Sequence, residues 1–270
     1  MMADHNADRD WIRSLEHISK YGNRVSPRGM LVYESLAFMN TVSMRCPVIL
    51  NETRNLGYKF MAAEAAWILE GRNDVETIAP YSKAISNFSD DGVSFFGAYG
   101  PKVVNQIDYC VDALYRDQFS RQAVINIWRE NPPATKDVPC TLSLQFIVRH
   151  SIIHCVASMR SSDLWLGHPY DIVNFSAISF YIMLKLNKKL HADRKLLLGL
   201  GQLYLTAGSK HLYERNAADA GMVLEHFYEH GLPKETGDVF RPELYHEPDE
   251  FIAHLWECAQ SDAGMKGMLQ

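Results

Sequence analysis

The sequence predicts an α+β domain, because stretches with helical periodicity alternate with short, nearly continuous apolar runs of strand length. Two further observations support that reading. The 270 residues show no internal repeat and no low-complexity linker, so one domain over 1–270 is the simplest organisation. Apolar residues make up 47% and charged residues 22%, enough to build one sizeable core in an ordinary globular chain.

The elements follow in order. Residues 8–21 read as a helix with Trp11, Leu15 and Ile18 on one face. Residues 22–29, with Arg24, Pro27 and Arg28, read as a turn-rich loop, and 30–38 as a strand. Residues 58–70 are apolar and alanine-rich and form a helix stopped by Gly71. Residues 108–119 predict another helix and 122–128 a buried strand, after which Asn131-Pro132-Pro133 breaks the chain. Residues 141–148 and 152–159 are strand runs parted by the polar turn Arg149-His150-Ser151. A long apolar helix spans 171–186, a polar connection 188–194 and a further buried segment 196–206. Residues 217–228 read as helical. The tail from Pro233 is loop-rich up to a helix at 250–259.

Charge and cysteine usage narrow the function classes. The net charge is −5, whereas a general nucleic-acid binder is usually basic, so a free nucleotide is the better phosphate-bearing partner. Five cysteines at irregular spacing, with no CxxC, suggest neither a disulfide framework nor a metal site, and fit a reducing compartment. Residues 1–11 are polar and acidic with no apolar h-region, and no run reaches membrane-spanning length. The expectation is a cytoplasmic protein without membrane contact.

The candidate chemistry begins at Cys140. A lone cysteine near a strand is most often a small buried hydrophobe. This one follows Pro139 at the end of a loop, where an arginine could favour the nucleophilic thiolate. Arginine also recognises phosphate with two parallel hydrogen bonds, and Arg24, Arg121 and Arg160 fall in loops or at strand ends. Downstream, Arg160-Ser161-Ser162-Asp163-Leu164-Trp165-Leu166-Gly167-His168-Pro169-Tyr170-Asp171 sets a phosphate-type pair close to a carboxylate fit to read a base edge. His154, His168 and His211 are present, but nothing in the sequence pairs one with Cys140 as a cysteine hydrolase would require.

Several separated segments, in order over about residues 20–215, resemble the thymidylate synthase family. They are Asn23-Arg24, Ala63-Glu64-Ala65-Ala66-Trp67-Ile68-Leu69-Glu70-Gly71, Gly97-Ala98-Tyr99-Gly100, Phe119-Ser120-Arg121, Pro139-Cys140 with Gln145-Phe146, the Arg160 to Asp171 block, and Gly208-Ser209-Lys210-His211-Leu212-Tyr213. The resemblance implies a mixed β-sheet packed with helices and a homodimer formed through the sheet face. It implies that Cys140 adds to C6 of a pyrimidine, and that Arg24, Arg121, Arg160 and Ser161 hold its phosphate, Arg121 from across the dimer. Glu64 would organise water and move protons, and Tyr99 would stand next to the nucleophile. Asp163 and Gly167 would meet 5,10-methylenetetrahydrofolate, the implied co-substrate. His211 and Tyr213 would bind the sugar 3′-hydroxyl. Gln122 replaces the second arginine of the family's usual pair, Thr141 follows the cysteine in place of the usual residue, and the tail from Ala263 departs from the family's closing terminus. Arg54 is placed like the basic residue that meets that terminus.

Asp171 is the departure with the sharpest consequence. Relatives that act on uracil carry asparagine there, and a carboxamide complements uracil N3–H and O4. A carboxylate accepts from cytosine N4 and can share a proton with N3, whereas it would face uracil O4 with no donor. The alternative reading of Asp171 is a helix N-cap before Ile172. A second departure is Ser86-Asn87, in the stretch where methyl-forming relatives carry a tryptophan. A polar site there would admit water and give a hydroxymethyl product. The expectation is therefore a folate-dependent dCMP 5-hydroxymethyltransferase. The alternatives are a CMP hydroxymethylase of nucleoside biosynthesis, a cytidylate C5-methylase, a thymidylate synthase acting on dUMP, or a nucleotide- or RNA-binding relative without catalysis. Retention of Cys140 and Glu64 argues against the last.

Overall fold

The computed structural model describes residues 6–233 and 237–269. Residues 1–5 of the polar N-terminal segment, 234–236 of the tail and Gln270 lie outside the described residues. Helix α1 (Ala7–Tyr21) opens with Asn6 accepting from the Arg9 N–H at 2.8 Å, and Asp8 and Asp10 suit the positive end of its dipole. Trp11, Leu15 and Ile18 are buried on its inner stripe. The expected loop over 22–29 is shorter: β1 (Asn23–Val25) pairs with the start of β2 (Val32–Ser43), around a 3-10 turn at Pro27–Gly29. Pairing with a neighbour, and not local composition, makes those residues a strand.

Helix α2 (Tyr58–Leu69) is buried along most of its length, and α3 (Val75–Ile78) is a single turn. Helix α4 (Gly100–Arg116) starts well before the expected 108, with Pro101 in its first turn where a missing N–H costs nothing. Strands β3 (Val124–Asn126), β4 (Thr141–Arg149) and β5 (Ile152–Asp163) follow. The β4–β5 turn uses His150 and Ser151, both with positive φ. Helix α5 (His168–Ala192) then crosses over to β6 (Gly199–Tyr213), which runs parallel to β5. Residues 188–192, expected in a polar connection, are the solvated last turns of α5, where Lys189 and His191 suit the negative end of the dipole. Helices α6 (Ala217–His230) and α7 (Pro248–Gln260) complete the set. Residues Gly264–Leu269 form a 3-10 turn that packs on α2, with Met265 and Met268 buried.

The sheet order is β1-β2-β6-β5-β4-β3, antiparallel except between β5 and β6. Helix α5 packs on β5 and β6 and is itself covered by α2, α4 and α7, so the core lies between the sheet and this helical layer. Along β5, buried Ile153, Cys155, Ala157 and Met159 alternate with half-buried Ile152, His154, Val156 and Ser158. Among the described residues no helix is long and apolar enough to cross a membrane.

The ladder is interrupted at one level across three strands. Pairing runs Leu36↔Ser209 then Phe38↔Ala207, and Met159↔Ala207 then Ser161↔Ser209, passing over Ala37, Gly208 and Arg160. Ala37 has φ 51°. A Cβ on Gly208 would lie 3.0 Å from the Arg160 carbonyl oxygen, so the two backbones approach closely there. The buried positions change parity at this row: Leu203, Leu205 and Ala207 before it, Lys210 and Leu212 after it.

Candidate active site

Cys140 ends the loop leading into β4, and Arg160 holds that loop against β5. The Arg160 N–H donates to the Cys140 carbonyl at 2.8 Å, its Nε to the Pro139 carbonyl at 3.0 Å and its Nη2 to the Val138 carbonyl at 2.9 Å. Its Nη1 reaches the Ser161 hydroxyl at 3.2 Å, and that hydroxyl points at the Cys140 Sγ at 3.6 Å. Three predicted residues thus form one contact group. Arg160 lies within β5 and not at a strand end, because the bend places its side chain at the exposed margin.

Tyr99 faces the same loop from the start of α4, where its hydroxyl accepts from Thr141 Oγ1 at 2.9 Å. The surrounding motif has a steric basis. The Gly97 N–H donates to Asp137 at 2.7 Å, and a Cβ on Gly100 would sit 2.4 Å from the Arg72 carbonyl oxygen. Burial, together with the negative charges of Asp171 and Cys140, pushes the Tyr99 phenol well above its usual range.

Two carboxyls meet beneath this group. Glu64 projects from α2 and accepts from Asn174 Nδ2 of α5 at 2.7 Å, yet burial pushes it up to about 7. Asp171 lies in the first turn of α5, and its N–H bonds back to the Gly167 carbonyl at 3.0 Å, so Gly167 and not Asp171 is the N-cap. The N-cap reading of Asp171 is therefore excluded. Burial, and then the charge of Glu64, raise Asp171 to about 7, against a downward pull from Lys210. Raised this far, the group can carry its proton close to neutral pH, and in that form it offers a donor as well as an acceptor.

The other predicted residues lie around this centre or apart from it. Asp163 Oδ1 accepts from the Trp165 and Leu166 N–H groups at 2.8 and 3.1 Å, fixing the turn that ends at Gly167. His211, opposite Asp163 in the sheet, meets Tyr213 edge to face at 5.3 Å, and burial lowers its imidazole's affinity for a proton. Arg54 stacks over Trp165 at 4.6 Å and donates to its carbonyl at 3.1 Å. Arg24 is paired instead with exposed Glu214 at 2.8 Å. Arg121 is exposed, its carbonyl accepting from Gln145, and no described contact joins it to Cys140. Ser86 and Asn87 sit in a 3-10 segment, Lys83–Phe88, with no buried residue.

Sequence reasoning missed Asn174 and Lys210. Asn174 lies one turn after Asp171, a spacing that places both on one helical face. Lys210 sits inside a quoted motif, and what hid it was the parity change in β6.

Against this geometry, the family model for thymidylate synthase matches residues 9–234. The chain belongs to the thymidylate synthase family. The fold is accordingly that family's, a six-stranded mixed sheet packed with helices. Among curated relatives, the deoxyuridylate hydroxymethyltransferase of Bacillus phage SP01 is 32% identical over 61% of this chain and 48% of its own length. The enzyme of that name from Pseudomonas phage M6 is 32% identical over 46% of this chain and 38% of its own length. The chain thus spans half or less of the phage relatives it matches. The thymidylate synthase of Buchnera aphidicola subsp. Baizongia pistaciae is 23% identical over 78% of this chain and 81% of its own. Two of these relatives of this thymidylate synthase family member are thus named as hydroxymethyltransferases and the third as a thymidylate synthase.

Proposed function

We propose that the protein transfers a one-carbon unit from 5,10-methylenetetrahydrofolate to C5 of a cytosine nucleotide. In full, dCMP, methylenetetrahydrofolate and water would give 5-hydroxymethyl-dCMP and tetrahydrofolate. The observation that carries the reading is the half-buried Asp171 carboxyl in the first turn of α5, raised to about 7 by desolvation and by the charge of Glu64 on α2.

The roles follow from placement. Cys140, with Ser161 at its sulfur, adds to C6, which turns unreactive C5 into an enamine-like carbon. The protonated Asp171 donates to cytosine N3 while its carbonyl oxygen accepts from N4. Glu64, fixed by Asn174 and with a proton affinity matched to neutral pH, takes the proton from C5 through water. Arg160 and Ser161 flank the sulfur on the exposed margin, where a phosphate would lie. His211 and Tyr213 suit the sugar hydroxyl.

The folate fits the Asp163 turn. Asp163 Oδ2 accepts no hydrogen bond from the described residues, and it adjoins exposed Leu166 and the side-chain-free Gly167. An acceptor beside an apolar surface matches the edge and face of a flat heterocycle. When bound, methylenetetrahydrofolate supplies the carbon at the oxidation level of formaldehyde. Polar Ser86 and Asn87, without the tryptophan, favour water over hydride as the last addition.

The names of the phage relatives favour a second reading, dUMP as substrate. The acid form of Asp171 could also donate to uracil O4 and accept from N3–H. Cytosine retains an advantage because its N3 is a ring base that can share the proton as Asp171 ionises, whereas uracil O4 cannot hold it. A homodimer through the open sheet face, with Arg121 crossing to the neighbour's phosphate, belongs to the same reading. It gives an exposed arginine without a partner at its own site a role.

The test is tritium release from 5-tritiated dCMP, CMP and dUMP, with mass analysis of the product. Release from dCMP with a gain of CH₂O is expected, as is a shift of Asp171→Asn toward dUMP. A gain of CH₂ would mean methylation, and release from CMP would mean a ribonucleotide substrate. Preference for dUMP by the unaltered enzyme would overturn the cytosine assignment. No release at all would leave a binding protein.

A further inference from the structure

Thr141 follows the nucleophile, and none of the roles above uses it. It is the first residue of β4 and is fully buried. Further along the strand the inward positions are even-numbered: Leu144, Phe146 and Val148. Strict alternation would turn Leu142 inward and Thr141 outward. A bulge prevents this. Pairing with β5 runs Thr141↔Met159 and then Ser143↔Ser158, so Leu142 is the extra residue. Its carbonyl accepts from the Ile127 and Trp128 N–H groups at 3.0 and 3.1 Å. The bulge thereby turns Thr141 onto the inner face.

On that face Thr141 meets Tyr99. Thr141 Oγ1 donates to the Tyr99 phenol oxygen at 2.9 Å, and the Thr141 N–H is turned to the same oxygen. The segments carrying the two residues are clasped nearby. The Gly97 N–H, two residues before Tyr99, donates at 2.7 Å to Asp137, three residues before Cys140. A phenol that accepts in this way still has its own proton to give. Among the described residues none accepts that proton, and the phenol is half-buried beside the neighbour of Cys140. Burial holds the proton on Tyr99 well above the usual range, so at neutral pH the group is a donor and not a base. The bond it accepts polarises it and strengthens the bond it gives in turn.

We propose that Thr141 is a positioning residue for the reaction at Cys140: by donating to the Tyr99 oxygen, it commits the Tyr99 proton to the bound nucleotide. The inference rests on the reading of Cys140 as the nucleophile of a one-carbon transfer, and it holds for cytosine and uracil alike. Thiolate addition to C6 moves negative charge onto the pyrimidine. A donor already aimed there stabilises that state without reorganising. With the pair reversed, and the phenol donating to Thr141, the Tyr99 proton would be used within the protein and the nucleotide would meet only lone pairs.

The test is a double-mutant cycle on Thr141 and Tyr99, read by kinetics and by carbon NMR of protein labelled at the tyrosine ring carbon that bears the oxygen. Thr141→Val keeps the branched shape but removes the hydroxyl. Its kcat is expected to fall by about five- to tenfold, with KM for the nucleotide within about twofold. Thr141→Ser keeps the donor and should restore kcat. In a Tyr99→Phe background, Thr141→Val should alter kcat by less than about twofold, because the partner is gone. A threonine that only fills space would cost the same in both backgrounds and would not be rescued by serine. Losses that multiply across the cycle overturn the proposal, and so does an unchanged kcat in Thr141→Val. The Tyr99 signal, assigned by its loss in Tyr99→Phe, must move in Thr141→Val and return in Thr141→Ser. A signal that stays still overturns the proposal whatever the substrate. Should Thr141→Val fail to fold, Thr141→Ala must show the same loss and the same coupling to Tyr99. A signal that moves while the unaltered enzyme turns over none of dCMP, CMP and dUMP overturns the one-carbon reading and leaves the hydrogen bond in place.

Discussion

Glu64 shows what the site costs the fold. Its half-buried carboxyl is pushed up to about 7 by desolvation, above its ordinary 4.5. A group that binds its proton more tightly in the folded state stabilises fully below the unfolded value, and that contribution is lost as pH rises through the folded value. Between about pH 4.5 and 7 the ligand-free protein therefore loses stability through this residue. Glu64→Gln should melt higher than the unaltered protein at pH 8, by about 1–3 kcal/mol, with the difference shrinking toward pH 5. Calorimetry at the two pH values checks this; a difference independent of pH would mean that Glu64 is not buried as an acid. Cys140, Glu64, Tyr99, Ser161 and Asp171 stand out in the sequence as candidates because the family's segments surround them. The effect of the Glu64 charge on Asp171 does not, since it arises where the two meet across more than a hundred residues.

Among the elements, those with strong periodicity were read well. Helices α1, α2, α6 and α7 and strands β4 and β5 lie close to their expected places. The misreadings have physical reasons. Polar residues 188–192 continue α5 because a helix can project its last turns into water, and β1 exists only through its pairing with β2. The row at Ala37, Gly208 and Arg160 could not be read, because it breaks the period of two on which strand reading rests. It makes a prediction at this scale. Gly208→Ala would press a methyl on the Arg160 carbonyl, 3.0 Å away, and Arg160 in turn supports Cys140. Chemical denaturation should show a loss of about 1–3 kcal/mol, accompanied by reduced kcat. Full activity in the variant would show that the loop does not depend on this bend.

For the whole molecule, the open question is whether two chains build each site. In the proposed reading the Arg160 guanidinium is engaged by the Pro139 and Val138 carbonyls and Arg24 is paired with Glu214, so a substrate phosphate calls for another cation. Exposed Arg121 can supply it only from a second copy if the dimer reading holds. Mixing Cys140→Ala with Arg121→Ala protein, each inactive alone, should then restore about a quarter of the unaltered activity, since half the dimers are mixed and each has one complete site. Activity in the mixture equal to the sum of the two separate proteins would mean that each chain serves its own site. The sheet-and-helix architecture was legible from the pattern of apolar residues. The partner's contribution is not written in one chain.

The change of parity in β6 sets different tolerances for two kinds of genetic change. After Gly208 the strand turns Lys210 toward α5, while His211 and Tyr213 look the other way. Point substitutions at Lys210 and at His211 or Tyr213 disturb separate surroundings, because they strike opposite faces. Gaining or losing one residue between Gly208 and Tyr213 would exchange the faces and damage both at once. The spacing of this hexapeptide is thus more constrained than the identity of its members, and length variation in related chains belongs outside it.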